Sequence, residues 1–542
     1  MILTHTGKRF ELKGSTAELR KDALQLGFTC SSKGVWYTGK PQIALSLVKQ
    51  ADINASDALE GFLCQIDCSR AIGYGGAGVP TPTGRELLPF QTNGILYSKE
   101  LPACLNADEM GLGKTLQAIG HINWHSHIKR VAVCSPAAGK IMWKRALEAW
   151  LSRNMSVEIA DSKELPKTDI VIFNYENAVR LAEQLDEINW DLLIFDEAHM
   201  LKNPDTQRTT ALLGDTQKGS RKTTKKSLPG LRGKQKLFLS GTPIEKRPLD
   251  LWPIIKACDP QGLGSNRSWF ETRYCAAHQG YWGWDNKGAS NLTELNNYLR
   301  GTFMVRRLKK DVLPQLPRKR RQIIAIEPDN AKGLIEKERY YYETNHRDIA
   351  DARAEAERAQ QRGDKASYAL AAAKLKNKQA VTFEDMALFR QETARAKLPM
   401  AISLIEEILA NGEKLVVFGY HREIVNKIHG HFIKDAVRVD GGMSDKERQY
   451  SVDLFQDEPD CRLIVGTIPA MYSVYTLTAA SNVLFVELDW RATVIKQAED
   501  RLDRIGQTGS VLVMHLVFDG SIDALMVQDI VKTLEIEEAA LD

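Results

Sequence analysis

Asp108-Glu109-Met110-Gly111-Leu112-Gly113-Lys114-Thr115 is the stretch whose reading decides the fold of this chain. Gly111 and Gly113 allow backbone turns closed to residues with a Cβ, so that consecutive N–H groups converge on phosphate oxygens. Lys114 then faces the β- and γ-phosphates of a nucleoside triphosphate, and the Thr115 hydroxyl is placed to ligate Mg²⁺. A helix starting near Leu116 aims its positive end at the same anion. The general phosphate-loop pattern has a further glycine where this chain has Asp108, so the match to that pattern is one residue short.

A second motif separates a phosphate cradle from a chance Gly-Lys-Thr turn. The apolar run Trp190-Asp191-Leu192-Leu193-Ile194-Phe195 ends in Asp196-Glu197-Ala198-His199. A buried parallel strand that ends in acids puts carboxylates at the carboxyl edge of a sheet, where open α/β folds bind ligands. Asp196 is the expected Mg²⁺ partner, and Glu197 the group that orients and deprotonates the attacking water. Either acid alone is more often a solvated strand end or a helix cap. Behind a phosphate loop, with Ala-His following, the pair points to ATP hydrolysis.

At 542 residues the chain exceeds one ordinary core and suits two core domains plus accessory pieces. With 73 basic against 69 acidic residues the net charge is only +4, so any nucleic-acid footprint has to be local. The eight cysteines are scattered without zinc-ligand spacing and read as reduced thiols. Met1 to Arg9 lacks an apolar signal segment, and no later stretch is long and uncharged enough to span a bilayer. The expectation is a soluble intracellular protein with no membrane partner, cytoplasmic or nucleoid-associated in a bacterium or phage and nuclear in a eukaryote.

Residues 1–75 carry no nucleotide chemistry and read as a small accessory module, with strands around Lys8–Leu12 and Val35–Thr38 and a helix from Pro41 to about Ala51. Residues 76–325 form the first lobe. Its apolar strands at 131–134, 170–173, 192–195 and 237–239 alternate with helices, which argues a doubly wound parallel sheet carrying a helical insertion. Lys218 to Lys236 reads as an exposed loop, either a solvated insertion or a phosphate-binding tether on DNA. Residues 326–410 are rich in Ala, Glu, Lys, Arg and Gln and suit a helical protrusion and linker with a turn at Gly363. Residues 411–542 repeat short apolar runs at 414–418, 436–441, 462–467 and 482–486, a second parallel-sheet lobe.

The third motif is Gln497-Ala498-Glu499-Asp500-Arg501-Leu502-Asp503-Arg504-Ile505-Gly506-Gln507. Arg501 and Arg504, three apart, share one face of a helix. Guanidinium groups so placed stabilise charge as a γ-phosphoryl leaves, an effect on the order of 10³-fold or more. With the three motifs in this order, the chain from Leu87 to about Phe518 resembles the Swi/Snf-type branch of superfamily-two helicase-like ATPases. Pro136, Lys140, Trp143, Asn174-Tyr175-Glu176, Leu239-Ser240-Gly241-Thr242-Pro243, His421, Asp440-Gly441, Arg448 and Phe455-Gln456 match further motif positions of that family. Gly283-Trp284-Asp285, Gly288 to Leu295 and Met304 to Leu313 are most similar to its annealing-helicase, or distal, subgroup, which acts on branched DNA.

The resemblance implies two RecA-like lobes that clamp ATP·Mg between Lys114, Thr115, Asp196, Glu197 and the trans-acting Arg501 and Arg504. Gln91 would read the adenine edge, and Asp108, Gly111 and Gly113 would complete the ATP-binding loop. Ser240, Gly241, Thr242, His421 and Thr467 would couple ATP to DNA. The implied activity is translocation along double-stranded or branched DNA by a monomer, without strand separation. A strand-separating RNA or DNA helicase and a non-hydrolysing DNA-binding scaffold are the alternatives.

One departure stands out. The family carries Ala-Gly-Gly-Val-Gly-Leu where this chain reads Ala470-Met471-Tyr472-Ser473-Val474-Tyr475. Lost glycines leave two readings open, weakened coupling at a DNA-facing turn or a tolerated loop variant. For the phosphate loop the expectation is sharper. Lys114→Ala removes the loop's only side-chain ammonium and should lower ATP turnover by orders of magnitude, read as phosphate release at saturating DNA.

Overall fold

The computed structural model describes residues 2–5, 10–13, 23–24, 29–30, 36–38, 54–55, 57–73 and 78–540, apart from 215–229, 245–246, 281–282, 318, 329–330, 362–364 and 473. The chain divides into two compact units, Met1–Pro314 and Gln315–Asp542. No helix among the described residues is long and apolar enough to cross a membrane.

The first unit opens with a five-stranded sheet in the order Thr29–Cys30, Trp36–Thr38, Phe10–Lys13, Ile2–His5, Asn54–Ala55. The strands Phe10–Lys13 and Trp36–Thr38 meet the expectation. The helix expected over 41–51 lies outside the described residues. A helix Asp57–Arg70 follows and packs on Leu292–Thr302, where the Phe62 ring would collide with any Cβ at Gly301. Close helix approach is the reason for that glycine.

The lobe itself is a seven-stranded parallel sheet. Its order is Met304–Val305, Ala103–Asn106, Gly233–Leu239, Trp190–Asp196, Val131–Ser135, Ile170–Asn174, Val157–Ile159. Leu193 and Phe195 join Phe238 and Trp252 on one face, while Leu192 and Ile194 join Ile119, Ile122 and Val133 on the other. Apolar residues on both sides of the pleat are what a sheet covered on both faces requires. The register then sets the site. Asp196 pairs with Leu239, and Leu239 with Asn106, so three neighbouring strands release their carboxyl-end loops at one level.

Gly233–Leu239 corrects the reading of Lys218 to Lys236 as loop throughout. Its first residues are strand, held by parallel pairing and by Lys234 Nζ at 2.7 Å from Asp191 Oδ1. Residues 215–229 of that stretch lie outside the described residues.

The second unit holds six parallel strands in the order Arg320–Ile326, Leu512–Phe518, Asn482–Phe485, Leu415–Gly419, Leu463–Thr467, Ala436–Val439. Both lobes are therefore RecA-like α/β layers. The expectation that the first lobe runs to residue 325 differs from this arrangement: Arg320–Ile326 is an edge of the second sheet, with Ile324 and Ile326 packed on its core. Mixed charge and apolar character hid that strand from a search for continuous apolar runs.

The expected long helices are Lys332–Gln361 and Lys365–Ala410, and Gly363 between them lies outside the described residues. The second is more than a protrusion. Ala394, Leu398, Ala401, Ile405 and Leu409 recur at helical spacing and are buried in the core of the lobe.

Glu338 fastens both helices to the start of Ile522–Ala540, its Oε2 accepting from Ile522 N at 3.2 Å and its Oε1 from the Thr393 hydroxyl at 3.5 Å. Burial, with Asp523 nearby, pushes its carboxyl up to about 7. The folded state thus binds this proton more tightly than the unfolded chain, and stability falls as pH rises from about 4.5 to about 7. Glu338→Gln removes the charge: its amide oxygen can still accept from Ile522 N, while its amide nitrogen would donate to the Thr393 hydroxyl in place of accepting from it. Urea melts of the variant should show a gain on the order of 2 kcal/mol at pH 8 that vanishes near pH 4.5.

Candidate nucleotide site and its coupling residues

Gly111 and Gly113 adopt φ of 84° and 75°, the left-handed turns expected of the loop, and Gly113 caps the helix Lys114–Trp124. Lys114 Nζ donates to the backbone oxygens of Asp108 at 2.8 Å and Glu109 at 3.1 Å, so the ammonium sits in the mouth of the loop. Thr115, half-buried, occupies the second helical position. Gln91 is 2% exposed and reaches the same loop: its Oε1 accepts from Leu88 N at 2.9 Å, and its Nε2 donates to Leu112 O at 3.2 Å. A Cβ at Gly113 would stand 2.4 Å from that Nε2.

Asp108 has a different place from the other loop residues. Its carboxylate is fully buried, 3.2 Å from Arg307 Nε, and accepts from Arg307 N at 2.9 Å and from Gln117 Nε2 at 2.9 Å. The side chain is thereby committed to the core, and Asp108 shapes the loop from beneath through its backbone contact to Lys114. The segment carrying Arg307 continues the sheet alongside the loop. Ala107 N donates to Val305 O at 2.7 Å, Glu109 N to Arg307 O at 3.0 Å, and Lys309 N to Glu109 Oε2 at 2.7 Å. Arg306 Nη1 spans from Ala107 O, 2.9 Å, to Gly241 O, 3.4 Å. Sequence reading placed Arg306 and Arg307 only in a stretch similar to a subgroup, with no role, because nothing local marks a strand of two residues as a brace.

Asp196 ends its strand with Oδ2 accepting from Trp143 Nε1 at 2.8 Å, while the Tyr175 hydroxyl donates to its backbone oxygen at 2.6 Å. Trp143 and Tyr175 were legible as motif residues, and their bonds to Asp196 required the fold. Burial first, and the neighbouring Glu197 carboxylate second, push the Asp196 carboxyl up to about 6, against the pull of Lys114. Two adjacent acids in a low-dielectric edge are the electrostatic situation that a divalent cation relieves.

Glu197 holds φ 49°, a left-handed conformation unusual for a residue with a Cβ. This turn directs its carboxylate to His199, whose Nδ1 lies 3.3 Å from Glu197 Oε2 and 3.2 Å from Ser240 Oγ. Ser240 is buried, its N donating to Asn106 O at 3.0 Å and its Oγ accepting from Thr242 N at 3.3 Å. Gly241 lies against the phosphate loop, where an added Cβ would approach Met110 Cγ to 2.5 Å and Lys114 Nζ to 3.3 Å. The fold thus brings together Gln91, Gly111, Gly113, Lys114, Asp196, Glu197, Ser240 and Gly241.

In the second unit, His421 Nδ1 meets Glu487 Oε1 at 2.5 Å, and Thr467 closes the strand paired with Leu415–Gly419. Arg501 and Arg504 do not share a helix face as expected. The helix Ala492–Glu499 ends before them, and tight turns carry the chain on to Gly506. Arg501 is 2% exposed and its Nε donates to Gln497 O at 2.9 Å. Arg504 is half-buried, its Nε donating to Asp500 O at 2.8 Å and its Nη1 to Thr476 Oγ1 at 3.0 Å.

The stretch that lacks family glycines is largely core. Met471 and Tyr475 are buried, and Met471 Sδ fills the space where a Cβ at Gly466 would lie. Val474 nevertheless keeps φ 80°, the backbone of a glycine on a β-branched residue. Such strain costs on the order of 1–3 kcal/mol, more than Val474, half-buried, gains by its contacts. Val474→Gly should therefore stabilise the second unit by about 1 kcal/mol, whereas Met471→Gly, which opens a cavity, should destabilise it by about 3 kcal/mol or more, both read from urea melts.

The chain matches the SNF2-related domain over residues 94–382 and the helicase conserved C-terminal domain over 400–506. It is 33% identical over 84% of its length to the SWI/SNF-related matrix-associated actin-dependent regulator of chromatin subfamily A-like protein 1 of Xenopus tropicalis. It is 32% identical over 83% of its length to the human DNA annealing helicase and endonuclease ZRANB3. The match spans 45% and 40% of those relatives. Among solved structures, the Sulfolobus solfataricus SWI2/SNF2 ATPase core in complex with dsDNA aligns at 22% identity over 82% of this chain and 90% of that one, with a TM-score of 0.37. A phosphate loop, a paired-acid strand end and a histidine relay to Ser240, lying within a family match that covers more than half of the sequence, establish that the chain belongs to the SNF2-related family of helicase-type ATPases.

Proposed function

We propose that the chain is an ATP-driven translocase of double-stranded DNA that remodels or reanneals branched DNA. The observation that carries this reading is the contact chain Glu197–His199–Ser240, which joins the group suited to activating water with the loop suited to following DNA. In this reading Thr115 and Asp196 hold Mg²⁺, which neutralises charge on the phosphates and on the acid pair. Lys114 moves from backbone oxygens to phosphate oxygens, a like-for-like exchange of acceptors. Gln91 reads the adenine edge while bracing the loop, and Arg501 and Arg504 stabilise charge on the γ-phosphoryl from the second lobe.

Duplex DNA as the track is supported by family membership, and branched DNA by similarity to an annealing helicase. Thr242, His421 and Thr467 then belong to the DNA-coupling surface. The working unit is a monomer, found wherever duplex DNA is exposed, in a nucleoid or a nucleus. Binding would rest on phosphate contacts and weaken steeply with salt.

Glu197→Gln is the direct test of the chemistry. It keeps the shape of the side chain but removes the proton acceptor, so ATP binding should persist while turnover falls by about 10²-fold or more. Fluorescent-nucleotide titration beside phosphate release measures both, and equal loss of the two removes Glu197 from the role of base. For the wild-type chain, forked duplex DNA should stimulate phosphate release, and a triplex-forming strand should be displaced without separation of the duplex. Duplex separation would favour a helicase, and absence of DNA-stimulated release a scaffold.

A further inference from the structure

Four charges meet where the segment leaving Pro314 joins the second sheet. Lys319 Nζ lies 2.9 Å from Glu499 Oε2 and 3.3 Å from Asp500 Oδ1. Arg321 grips Glu499 with both edges of its guanidinium, Nε at 3.0 Å from Oε1 and Nη2 at 2.8 Å from Oε2. The two carboxylates are 0% and 1% exposed, so this is a buried cluster in which geometry has to offset desolvation. Burial would weaken the hold of Lys319 on its proton, yet Asp500 and Glu499 outweigh it and push the ammonium up. Burial likewise favours neutral Glu499, but Lys319 and Arg321 draw it below the usual carboxylate range. Lys319 and Glu499 are each held in the charged form.

Glu499 ends its helix, and the arginine turn hangs from that end. Asp500 touches Lys319 through its side chain and Arg504 through its backbone oxygen, which accepts from Arg504 Nε at 2.8 Å. Arg320 N, between the two basic residues, is pinned to Val511 O at 2.8 Å, just beyond the other side of the turn. The linking segment therefore brackets the turn from both sides.

We propose that Lys319 and Arg321 are positioning residues that act through Glu499 and Asp500 to set the reach of Arg504, so that the segment joining the two units is built into the arginine turn. The inference rests on the reading that Arg504 meets the departing phosphoryl. A shift of about 1 Å in such a group costs up to about 10²-fold in rate without loss of substrate affinity.

The test uses the full chain with saturating forked DNA and compares kcat and KM for ATP. Lys319→Met leaves Glu499 to Arg321 but strands the buried Asp500 carboxylate, so it is paired with Asp500→Asn, which restores charge balance, and circular dichroism confirms folding. The double variant should lose roughly tenfold in kcat with KM unchanged, and Lys319→Arg, which retains the ion pair, should recover most of it. In an Arg504→Ala background the double change should add nothing, since it acts through the missing side chain. A folded double variant with wild-type kcat, or losses that add to those of Arg504→Ala, overturns the proposal. If Arg504→Ala alone leaves kcat intact, the phosphoryl reading falls first and the inference with it.

Discussion

The ion pair between Asp108 and Arg307 is the contact on which the nucleotide end of the first lobe depends. Both side chains are essentially without solvent access, and removing one partner of such a pair costs about 3–5 kcal/mol because the other is left charged in a dry interior. The pair fixes the last part of the segment 303–309 against the phosphate loop, and that segment in turn closes the edge of the sheet beside Ala103–Asn106. It also accounts for the absence of a glycine at position 108. The general loop needs backbone freedom there, whereas this one is held from below by a carboxylate, and its freedom is confined to Gly111 and Gly113.

The parts of this site that were legible in the sequence are those in which chemistry is local. A loop of two glycines, a lysine and a threonine announces phosphate, and two acids after a six-residue, mostly apolar run announce a sheet edge. What was not legible depends on contacts made far along the chain. Arg306 and Arg307 reach the loop from about 200 positions away, and His199 becomes a link to Ser240 only because Asp196 and Leu239 stand in register. Most of the longer apolar runs were read as strands, while Ala103–Asn106, which leads into the phosphate loop, Met304–Val305, Arg320–Ile326, which carries two arginines, and Leu512–Phe518, whose pattern is broken by His515, emerged only in three dimensions.

In the second lobe, motif spacing misled in one respect. Three residues between arginines suggest a shared helical face, but Asp500 ends the helix with φ −70° and ψ 0°, and the turns that follow send Arg501 inward and Arg504 toward Thr476. The two arginines are thereby unequal, one structural in its present contacts and one near the surface. The stretch from Met471 to Tyr475 shows the converse. Its side chains depart from the family pattern, and the backbone at Val474 takes a left-handed φ of 80°, a conformation that glycine adopts without steric cost and valine does not.

The edge position of Arg320–Ile326 also bears on how the chain is made. This strand leaves the ribosome about 190 residues ahead of Leu512–Phe518, the only strand it pairs with among the described residues, which at ordinary synthesis rates is a delay of about 10–40 s. The two long helices between them are built on local contacts, while the second sheet cannot pair its first strand until nearly the whole chain has emerged. An unpaired strand is a template for the wrong partner during that interval. Arg320 and Arg321, at its leading end, put positive charge on that edge, the kind of residue that discourages wrong strand pairing.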